Sequence, residues 1–408
     1  MKEKIIAALD IGTSKVCALI AGLDSEGQVR LIAGKLTASK GVSNGLIKDL
    51  AEVSSSVSEI LSETGKAGQV EIYSVVANVN GGHIKSRNNQ AMLELAGPER
   101  KVKSSDIRKI TEVAKSVPLP MDEKILQVIP ARYMVDDQTG IKNPLKMAGS
   151  RLGLEVHLIT GSISHTQNTV SAINQAGYDV GGIIPESLAC SCAVLSEKEK
   201  ELGVILINIG AATTDIIIFI NGCPVHTEVV PVGSEGLTRM LSSVLRTSLE
   251  DAEIIKKRYG SVFSSRLNDQ SLIMVPGIDG RPSNNISVSF LSRSIMPYAT
   301  KMITRISKRI EASGYKEKAV AGAVATGGGT LLEGIVEKIE EVLGLPVRMG
   351  CSSGIHADGN VISNPGYTAA IGLAKYGLQY AQPELRWYDR GGWAKFGNSI
   401  RSFIEEYF

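Results

Sequence analysis

Residues 4–15 read KIIAALDIGTSK, and residues 204–215 read VILINIGAATTD. In both stretches an apolar run of strand length, rich in β-branched residues, leads directly into a turn with glycine and threonine. A second apolar run follows each turn, over residues 16–23 in the first copy and 216–220 in the second. Each copy continues into a third strand-like run, residues 29–33 and 225–232, and a helical stretch, residues 47–64 and 234–246. The repeat predicts two similar α/β lobes that face each other across a cleft.

The composition of the 408-residue chain is that of an ordinary globular protein. Lys and Arg number 44 against 42 Asp and Glu, and 43% of the residues are hydrophobic. The near-neutral charge of +2 argues against a dedicated nucleic-acid binder. The odd number of cysteines, five, does not suggest a disulfide framework. Without a signal peptide or a run of about 18 apolar residues, the chain is expected in the cytosol.

The two glycine-containing turns are candidate phosphate-binding sites. A glycine directly after a strand allows a tight turn, so that backbone amide hydrogens can face an anion. In the first turn Thr13 and Ser14 add hydroxyl groups, and Lys15 adds a positive charge. Asp10 can hold Mg2+ through water, because this cation prefers oxygen ligands and keeps much of its hydration. One such turn is usually only a turn, whereas two equivalent copies are expected to clamp a polyphosphate between the lobes.

A third glycine-rich element lies at residues 320–330, which read VAGAVATGGGT. A buried strand leads into three glycines, and a helix is predicted over residues 331–343. Backbone without side chains allows a planar ring or a phosphate to approach closely. The spacing does not fit the dinucleotide pattern G-x-G-x-x-G, and no G-x-x-x-x-G-K-[ST] is present, so a P-loop is excluded.

The two turns, the Thr-Gly-Gly-Gly loop at residues 326–329 and their order resemble the actin/Hsp70/hexokinase ATPase superfamily. Within it the sequence is similar to FtsA, a family of bacterial cell-division proteins. The supporting stretches are LDIGTSK (9–15), GIKNP (140–144), VHLIT (156–160), ELGV (201–204) and DAEIIK (251–256). The resemblance runs from about residue 4 to the end of the chain.

The resemblance implies an α/β, actin-like fold with two RNase H-like lobes around a nucleotide cleft, an inserted small subdomain and a C-terminal amphipathic helix. The implied division is residues 1–83 and 160–203 for the core of lobe 1 (subdomain 1A), 84–159 for inserted subdomain 1C, 204–246 and 310–364 for the core of lobe 2 (2A), 247–309 for subdomain 2B, 365–378 for a return helix to lobe 1, 379–392 for a linker and 393–408 for a membrane-targeting helix.

The resemblance also implies ATP and Mg2+ in the cleft. The implied nucleotide-binding residues are Asp10 (also to Mg2+, through water), Gly12, Thr13, Ser14 and Lys15 in the first turn, Gly210, Ala211, Ala212, Thr213, Thr214 and Asp215 in the second, then Gly233, Glu253, Lys256, Gly327, Gly328 and Gly329. Glu253 and Lys256 would face the ribose and adenine, or form a solvated charge pair on a helix. Glu186 is the candidate catalytic residue that orients the attacking water. Alternatively, it is an acidic residue favoured by a helix N-terminus.

The second turn departs from the family pattern. Where relatives have Asp-Ile-Gly-Gly-Gly-Thr, residues 208–213 read NIGAAT. Asn208 cannot supply the negative charge that helps to hold hydrated Mg2+. Ala211 and Ala212 place methyl groups near the phosphates, and a positive φ at either alanine would be costly. We therefore expect at most a weak ATPase.

The C-terminal residues 393–408 have a helical period and are rich in aromatic residues. Three of the six Phe residues of the chain lie here. The face predicted to contact lipid consists of Trp393, Phe396, Ile400, Phe403, Ile404, Tyr407 and Phe408. A helix of roughly 24 Å can lie along a membrane surface but cannot cross the bilayer. The alternative is a terminal helix that docks on the globular body.

The predicted function is that of an ATP-binding, polymerising actin homologue that anchors the tubulin-like division ring to the inner face of the cytoplasmic membrane. It would lie peripherally at the division site. The expected partners are further copies of the chain in filaments, the C-terminal peptide of the ring protein at the 2B-like region 247–309, later division proteins at subdomain 84–159 and lipids at residues 393–408. The alternatives are a type IV pilus-assembly actin homologue and a soluble ATP-dependent small-molecule kinase.

Overall fold

The computed structural model describes residues 5–380, apart from residues 25, 96, 98–99, 279–280, 357–360 and 362. The strands are β1 Ile5–Ile11, β2 Lys15–Leu23, β3 Val29–Ala38, β4 Val42–Ser43, β5 Leu46–Ile47, β6 Ser74–Val79, β7 Lys85–Glu94, β8 Glu123–Val135, β9 Gln138–Ile141, β10 Arg151–Ser162, β11 Asp179–Pro185, β12 Val204–Ile209, β13 Thr214–Ile220, β14 Cys223–Val230, β15 Leu272–Val275, β16 Asn284–Ser287, β17 Ala323–Thr326, β18 Val347–Met349 and β19 Ile355–His356.

The helices are α1 Leu50–Gly68, α2 Ser104–Lys115, α3 Ile163–Gln175, α4 Glu186–Val194, α5 Glu197–Leu202, α6 Glu235–Leu245, α7 Leu249–Tyr259, α8 Val288–Ala312, α9 Ile335–Leu343 and α10 Thr368–Tyr380. Short 3-10 turns cover Ser264–Asn268, Lys316–Lys318, Gly328–Leu331 and Pro365–Tyr367.

The two predicted lobes are built on similar sheets. Lobe 1 has the strand order β11-β6-β1-β2-β3-β19, and lobe 2 has the order β14-β13-β12-β17-β18. In each sheet an antiparallel three-stranded meander is followed by parallel strands on the side of its first strand. The repeat in the sequence therefore corresponds to a repeat in the fold, as predicted.

Two helices fill the space between the sheets. α4 and α10 pack on each other in an apolar core that also takes side chains from both lobes, among them Ala8 of β1 and Leu206 of β12. Gly372 permits this packing, because a Cβ at this position would overlap the backbone of Ala189 in α4. The carboxyl ends of the central strands are thereby held next to the start of α4.

The inserted subdomain is a four-stranded sheet of order β7-β10-β8-β9, with α2 packed on one face. Its apolar core includes Ile110 of α2 together with Leu154 and Leu158 of β10. Ile84, Ile159 and Val229 form a small apolar cluster where this subdomain meets lobe 2. The inserted subdomain thus contacts both lobes.

Several predicted element limits differ from the structure. The helix predicted over 47–64 begins at Leu50, because Asp49 caps it by accepting the backbone N–H of Glu52 at 3.0 Å. The helix predicted from residue 331 begins only at Ile335, because residues 328–331 form a 3-10 turn. Residues 264–291 contain the β15–β16 hairpin and the first residues of α8.

The boundaries assigned from the resemblance stay predictions, and the one between residues 309 and 310 falls within α8. Residues 379 and 380 of the predicted linker end α10. The rest of the linker and the predicted membrane helix, residues 393–408, lie outside the described residues. Within the described part of the chain, no helix combines the length and the apolar character needed to cross a bilayer.

Candidate functional site

The two glycine-containing turns have the same backbone geometry. The N–H of Gly12 donates to the carbonyl of Lys15 at 2.9 Å, and the N–H of Gly210 donates to the carbonyl of Thr213 at 2.8 Å. At either glycine a Cβ would lie 3.0 Å from that same carbonyl oxygen. Each glycine therefore closes a turn between the first two strands of its lobe.

The first turn is held by contacts from other parts of lobe 1. Thr13 accepts the backbone N–H of Gly45 at 3.0 Å through its Oγ1. Lys15 donates its ammonium group to the carbonyl of Gly366, in the 3-10 turn before α10. Ser14 is exposed. The backbone at the tip of the turn is thus fixed, and the Ser14 hydroxyl is accessible.

The second turn packs against the start of α6. The carbonyls of Gly210 and Ala211 accept the backbone N–H groups of Ser234 and Glu235, at 3.0 and 2.7 Å. Gly233 is needed here, because a Cβ would overlap the carbonyl of Ala211. Neither Ala211 nor Ala212 has a positive φ, so the cost of that conformation at an alanine does not arise in this turn.

A cluster of three asparagines and three carboxylates lies between the turns; we call it the cleft cluster. Its members are Asp10, Asn78, Asn80, Glu186, Asn208 and Asp215. Glu186 lies at its centre, at the first position of α4. Its Oε1 accepts from the Asn208 amide at 2.8 Å, and its Oε2 accepts from Asn78 and Asn80 at 3.0 and 2.7 Å.

The same asparagines extend the cleft cluster to both turns. The Asn78 amide also donates to Oδ1 of Asp10 at 2.7 Å, at the end of β1. The Asn80 amide donates to Oγ1 of Thr213 at 3.1 Å and to Oδ2 of Asp215 at 3.2 Å. Asn208 donates to the same Oδ2 at 3.2 Å. A continuous hydrogen-bond network thus joins the first turn in lobe 1 to the second in lobe 2.

The carboxylates of the cleft cluster are buried close to one another. Burial, followed by the negative charge of Glu186, raises the pKa of Asp10 to about 7. The same two causes raise the pKa of Asp215 well above its usual range, although the Asn208 and Asn80 amides oppose the shift. The cleft cluster therefore concentrates acidic groups without a matching positive charge, so a cation bound near it would be stabilised.

No group of three or more His, Cys, Asp or Glu side chains in the described part of the chain is placed to bind a metal directly. Asp10 lies at the end of β1 beside the first turn, where it could reach a hydrated cation.

Glu253 and Lys256 lie beside the second turn. Lys256 is only 7% exposed, so the interpretation as a solvated charge pair is wrong for this residue. Its ammonium group contacts Glu253 at 2.6 Å and donates to Oγ1 of Thr238 at 2.8 Å and to the carbonyl of Ser234 at 3.2 Å. Burial lowers the pKa of Lys256, and the hydrogen bond that its ammonium group donates to Glu253 opposes that shift. These contacts connect α7 to the start of α6, which holds the second turn.

The three glycines of the third element have different surroundings. Gly327 has a φ of 88°, and a Cβ there would overlap Asn208 and Ile209. A Cβ at Gly329 would overlap the side chain of Ile209. Gly328 is exposed, and a Cβ there would have no atom within 4 Å. Gly328 therefore presents bare backbone to open space, while its neighbours pack against β12.

The sequence prediction did not include Asn78 and Asn80. Asn78 is the last but one residue of β6, and Asn80 directly follows the strand, in the stretch ANVNGG at residues 77–82. The available signal was a buried strand that leads into polar residues and glycines, as in the two turns. The rings of His83 and His165 are stacked at 4.9 Å, where the chain passes between lobe 1 and the inserted subdomain.

Comparisons with known proteins agree with this architecture. The family model described as "Cell division protein FtsA" matches residues 205–372, and that described as "SHS2 domain inserted in FTSA" matches residues 81–160. The cell division protein FtsA of Pseudomonas aeruginosa is 34% identical over 376 residues, covering 92% of this chain and 90% of that protein.

Two solved structures share the fold. A chain of the PilM–PilN type IV pilus biogenesis complex superposes with a TM-score of 0.63 at 16% identity, covering 92% of this chain and 98% of that one. MreB5 of Spiroplasma citri bound to ADP superposes with a TM-score of 0.53 at 15% identity, covering 91% of this chain and 96% of that one. These likenesses concern the fold alone, and they confirm the predicted actin-like class. The match to the inserted SHS2 domain confirms the inserted subdomain. Because the identity to the P. aeruginosa protein reaches 34% over nine-tenths of both chains, this chain belongs to the FtsA family of cell division proteins.

Proposed function

We propose that this chain is an ATP-binding actin homologue that polymerises and anchors the tubulin-like division ring to the inner face of the cytoplasmic membrane. One observation carries the nucleotide part of the proposal. Two turns, one from each lobe, are closed by equivalent glycine N–H bonds and are joined to each other through Asn78, Glu186 and Asn80. A polyphosphate between two such turns would receive backbone amides from both lobes. Family membership supports the division-site role.

The residues present fit a nucleotide with its cation. Gly328 leaves room for a planar ring against bare backbone. Lys256 is linked to the second turn through Ser234, and we propose that Glu253 and Lys256 face the ribose and adenine. Mg2+ would neutralise phosphate charge, and Asp10 would hold it through water. The buried carboxylates of the cleft cluster favour a cation at this place.

We propose that hydrolysis is slow. The carboxylate of Glu186 accepts three amide hydrogens, one on Oε1 and two on Oε2, which leaves about one of its four lone-pair sites for a water molecule. Asn208 supplies an amide where an acidic residue would add charge to hold a hydrated cation. Glu186 therefore serves chiefly to join the lobes, and any turnover is weak.

The remaining partners are assigned from the family and from exposed surfaces. The β15–β16 hairpin exposes Leu272 and Met274, which are 71% and 68% accessible. These side chains support region 247–309 as the place that receives the C-terminal peptide of the ring protein. Subdomain 84–159 would meet later division proteins, and residues 393–408 would insert their apolar face into lipid. Polymerisation would multiply this weak anchoring into firm attachment.

Microscopy of lipid monolayers with ATP and Mg2+ tests the proposal. The full chain is compared with a chain that ends at Gly392 and with the substitution Phe403→Glu in the full chain. Filaments on lipid are expected only for the unaltered full chain. Failure of a labelled ATP analogue to bind any of the three proteins would contradict the nucleotide proposal. Equal lipid binding by all three would contradict the anchoring proposal.

A further inference from the structure

The inserted subdomain is fastened to lobe 2 by hydrogen bonds between two strand edges. Ser86 of β7 donates its hydroxyl to the carbonyl of Thr227 in β14 at 2.9 Å and accepts the N–H of Thr227 at 2.8 Å. Two residues along β7, Asn88 donates its amide to the carbonyl of Val225 at 2.9 Å. We call these contacts, together with those of His157, the β7–β14 latch.

His157 of β10 completes the latch from inside the subdomain. The ring is 1% exposed, with Nδ1 at 2.7 Å from Oδ1 of Asn88 and Nε2 at 2.9 Å from Oγ1 of Thr227. Because the Asn88 amide nitrogen donates to Val225, its Oδ1 must be the acceptor towards His157. Nδ1 therefore carries the proton, and neutral Nε2 accepts from the Thr227 hydroxyl. Every polar atom of this contact is then satisfied.

The latch lies on the strand that supports the second turn. β14 pairs with β13, and Val229 lies opposite Asp215 two residues beyond Thr227. Val229 also packs against Ile84 and Ile159 of the inserted subdomain. A shift of lobe 2 that moves Asp215 relative to lobe 1 must therefore move the inserted subdomain or break the latch.

We propose that the β7–β14 latch couples the orientation of the inserted subdomain to the arrangement of the two lobes around a bound nucleotide. This inference rests on the nucleotide binding proposed above. Thermodynamic linkage makes the coupling reciprocal, so a partner that turns the inserted subdomain changes nucleotide affinity, and the nucleotide changes the presentation of that subdomain. The hydrogen bonds of the latch are local contacts, and the experiments below measure the coupling between the inserted subdomain and the nucleotide site.

Asn88→Ala is compared with Asn89→Ala in the full chain. Asn89 is the next residue of the same strand, but its amide donates at 2.9 Å to the carbonyl of Ala114 within the inserted subdomain. The first measurement is the affinity for a fluorescent, non-hydrolysable ATP analogue. Asn88→Ala is expected to weaken binding by about fivefold, a typical size for such a coupling. Asn89→Ala is expected to bind like the unaltered protein.

The second measurement is hydrogen exchange of residues 85–94 with and without the analogue. Exchange in the unaltered protein and in Asn89→Ala is expected to change on binding, while Asn88→Ala loses this response. If the unaltered protein binds the analogue without any change in residues 85–94, the latch proposal is overturned and nucleotide binding stands. The latch proposal is also overturned if Asn88→Ala and Asn89→Ala have the same affinity for the analogue and the same exchange response. Absence of any binding to the unaltered protein overturns the proposed function, and this inference with it.

Discussion

Asn208 of lobe 2 donates its side-chain amide to Oε1 of Glu186, at the start of α4, at 2.8 Å. The same amide group donates to Asp215 at 3.2 Å. A neutral donor thus separates two carboxylates that would otherwise repel each other in a buried site. Asn208 therefore joins the two lobes through hydrogen bonds and adds no negative charge to the site.

Asn208→Asp should make the fold depend on a cation. The substitution replaces two donated hydrogen bonds by a carboxylate beside Glu186 and Asp215, and loss of such bonds typically costs about 1–3 kcal/mol. In urea unfolding with EDTA, the variant should be less stable than the unaltered protein by about this amount. Mg2+ with an ATP analogue should restore most of the difference. Asn208→Ala is the control, since it loses the donors but adds no charge; equal Mg2+ responses of the two variants would refute this account.

The glycines of the third element should separate folding from binding. Gly328→Ala adds a methyl group in open space, so stability should change by less than about 0.5 kcal/mol. Affinity for the ATP analogue should fall about tenfold, because the methyl group occupies the surface offered to the ring. Gly329→Ala should instead lower the free energy of unfolding by about 1–3 kcal/mol, because its methyl group overlaps Ile209. Urea unfolding and fluorescence titration check both, and unchanged affinity in Gly328→Ala would place the ring elsewhere.

Two neighbouring lysines of α7 offer a matched pair. Lys256 is buried and bonds to Ser234, Thr238 and Glu253, whereas Lys257 contacts Glu253 from an exposed position at 3.3 Å. Lys256→Met should lower stability by about 1.5–3 kcal/mol and weaken nucleotide binding, because the start of α6 loses its support. Lys257→Met should stay within about 0.5 kcal/mol, as exposed ion pairs contribute little. Urea unfolding of both variants measures the difference, and similar losses would mean that Lys256 has no special role.

The sequence was sufficient to predict the two lobes because the strand–turn–strand pattern is local and occurs twice. The sequence also predicted the glycines of both turns, because each lies in a short loop directly after a strand. It did not predict the cleft cluster, because Asn78, Glu186 and Asn208 are distant in the chain and only the packing of two sheets around α4 brings their side chains together. Hydrogen bonds between distant side chains have no period or spacing in the sequence.

The latch was missed for a related reason. A histidine that is buried between two strand edges has no motif, and its role depends on which partners the fold supplies. The burial of Lys256 was likewise not evident, because a Glu and a Lys three positions apart on a helix usually form an exposed pair. In both places the tertiary contacts, rather than the local pattern, decide the chemistry.

His157 should make stability fall as the pH is lowered. Burial, followed by the nearby His226, lowers the pKa of His157 to about 3 from an ordinary value of 6.5. Between pH 6.5 and pH 3 the unfolded chain binds a proton at His157 that the folded chain does not bind, so lowering the pH favours unfolding. The loss for a single group is about 1.4 kcal/mol per pH unit.

His157→Gln, which cannot be protonated, should therefore lose less stability than the unaltered protein between pH 6.5 and pH 5, in urea unfolding followed by circular dichroism. His356→Gln, which removes an exposed histidine that faces Asp24 at 3.3 Å and is not part of the latch, controls for the removal of a histidine as such. Since His157 holds both Asn88 and Thr227, the acid-induced loss should appear first as faster hydrogen exchange in residues 85–94 and 223–230. Identical pH profiles for His157→Gln and the unaltered protein would mean that the folded protein takes up the proton on His157 as readily as the unfolded chain does, so that the latch is bonded differently.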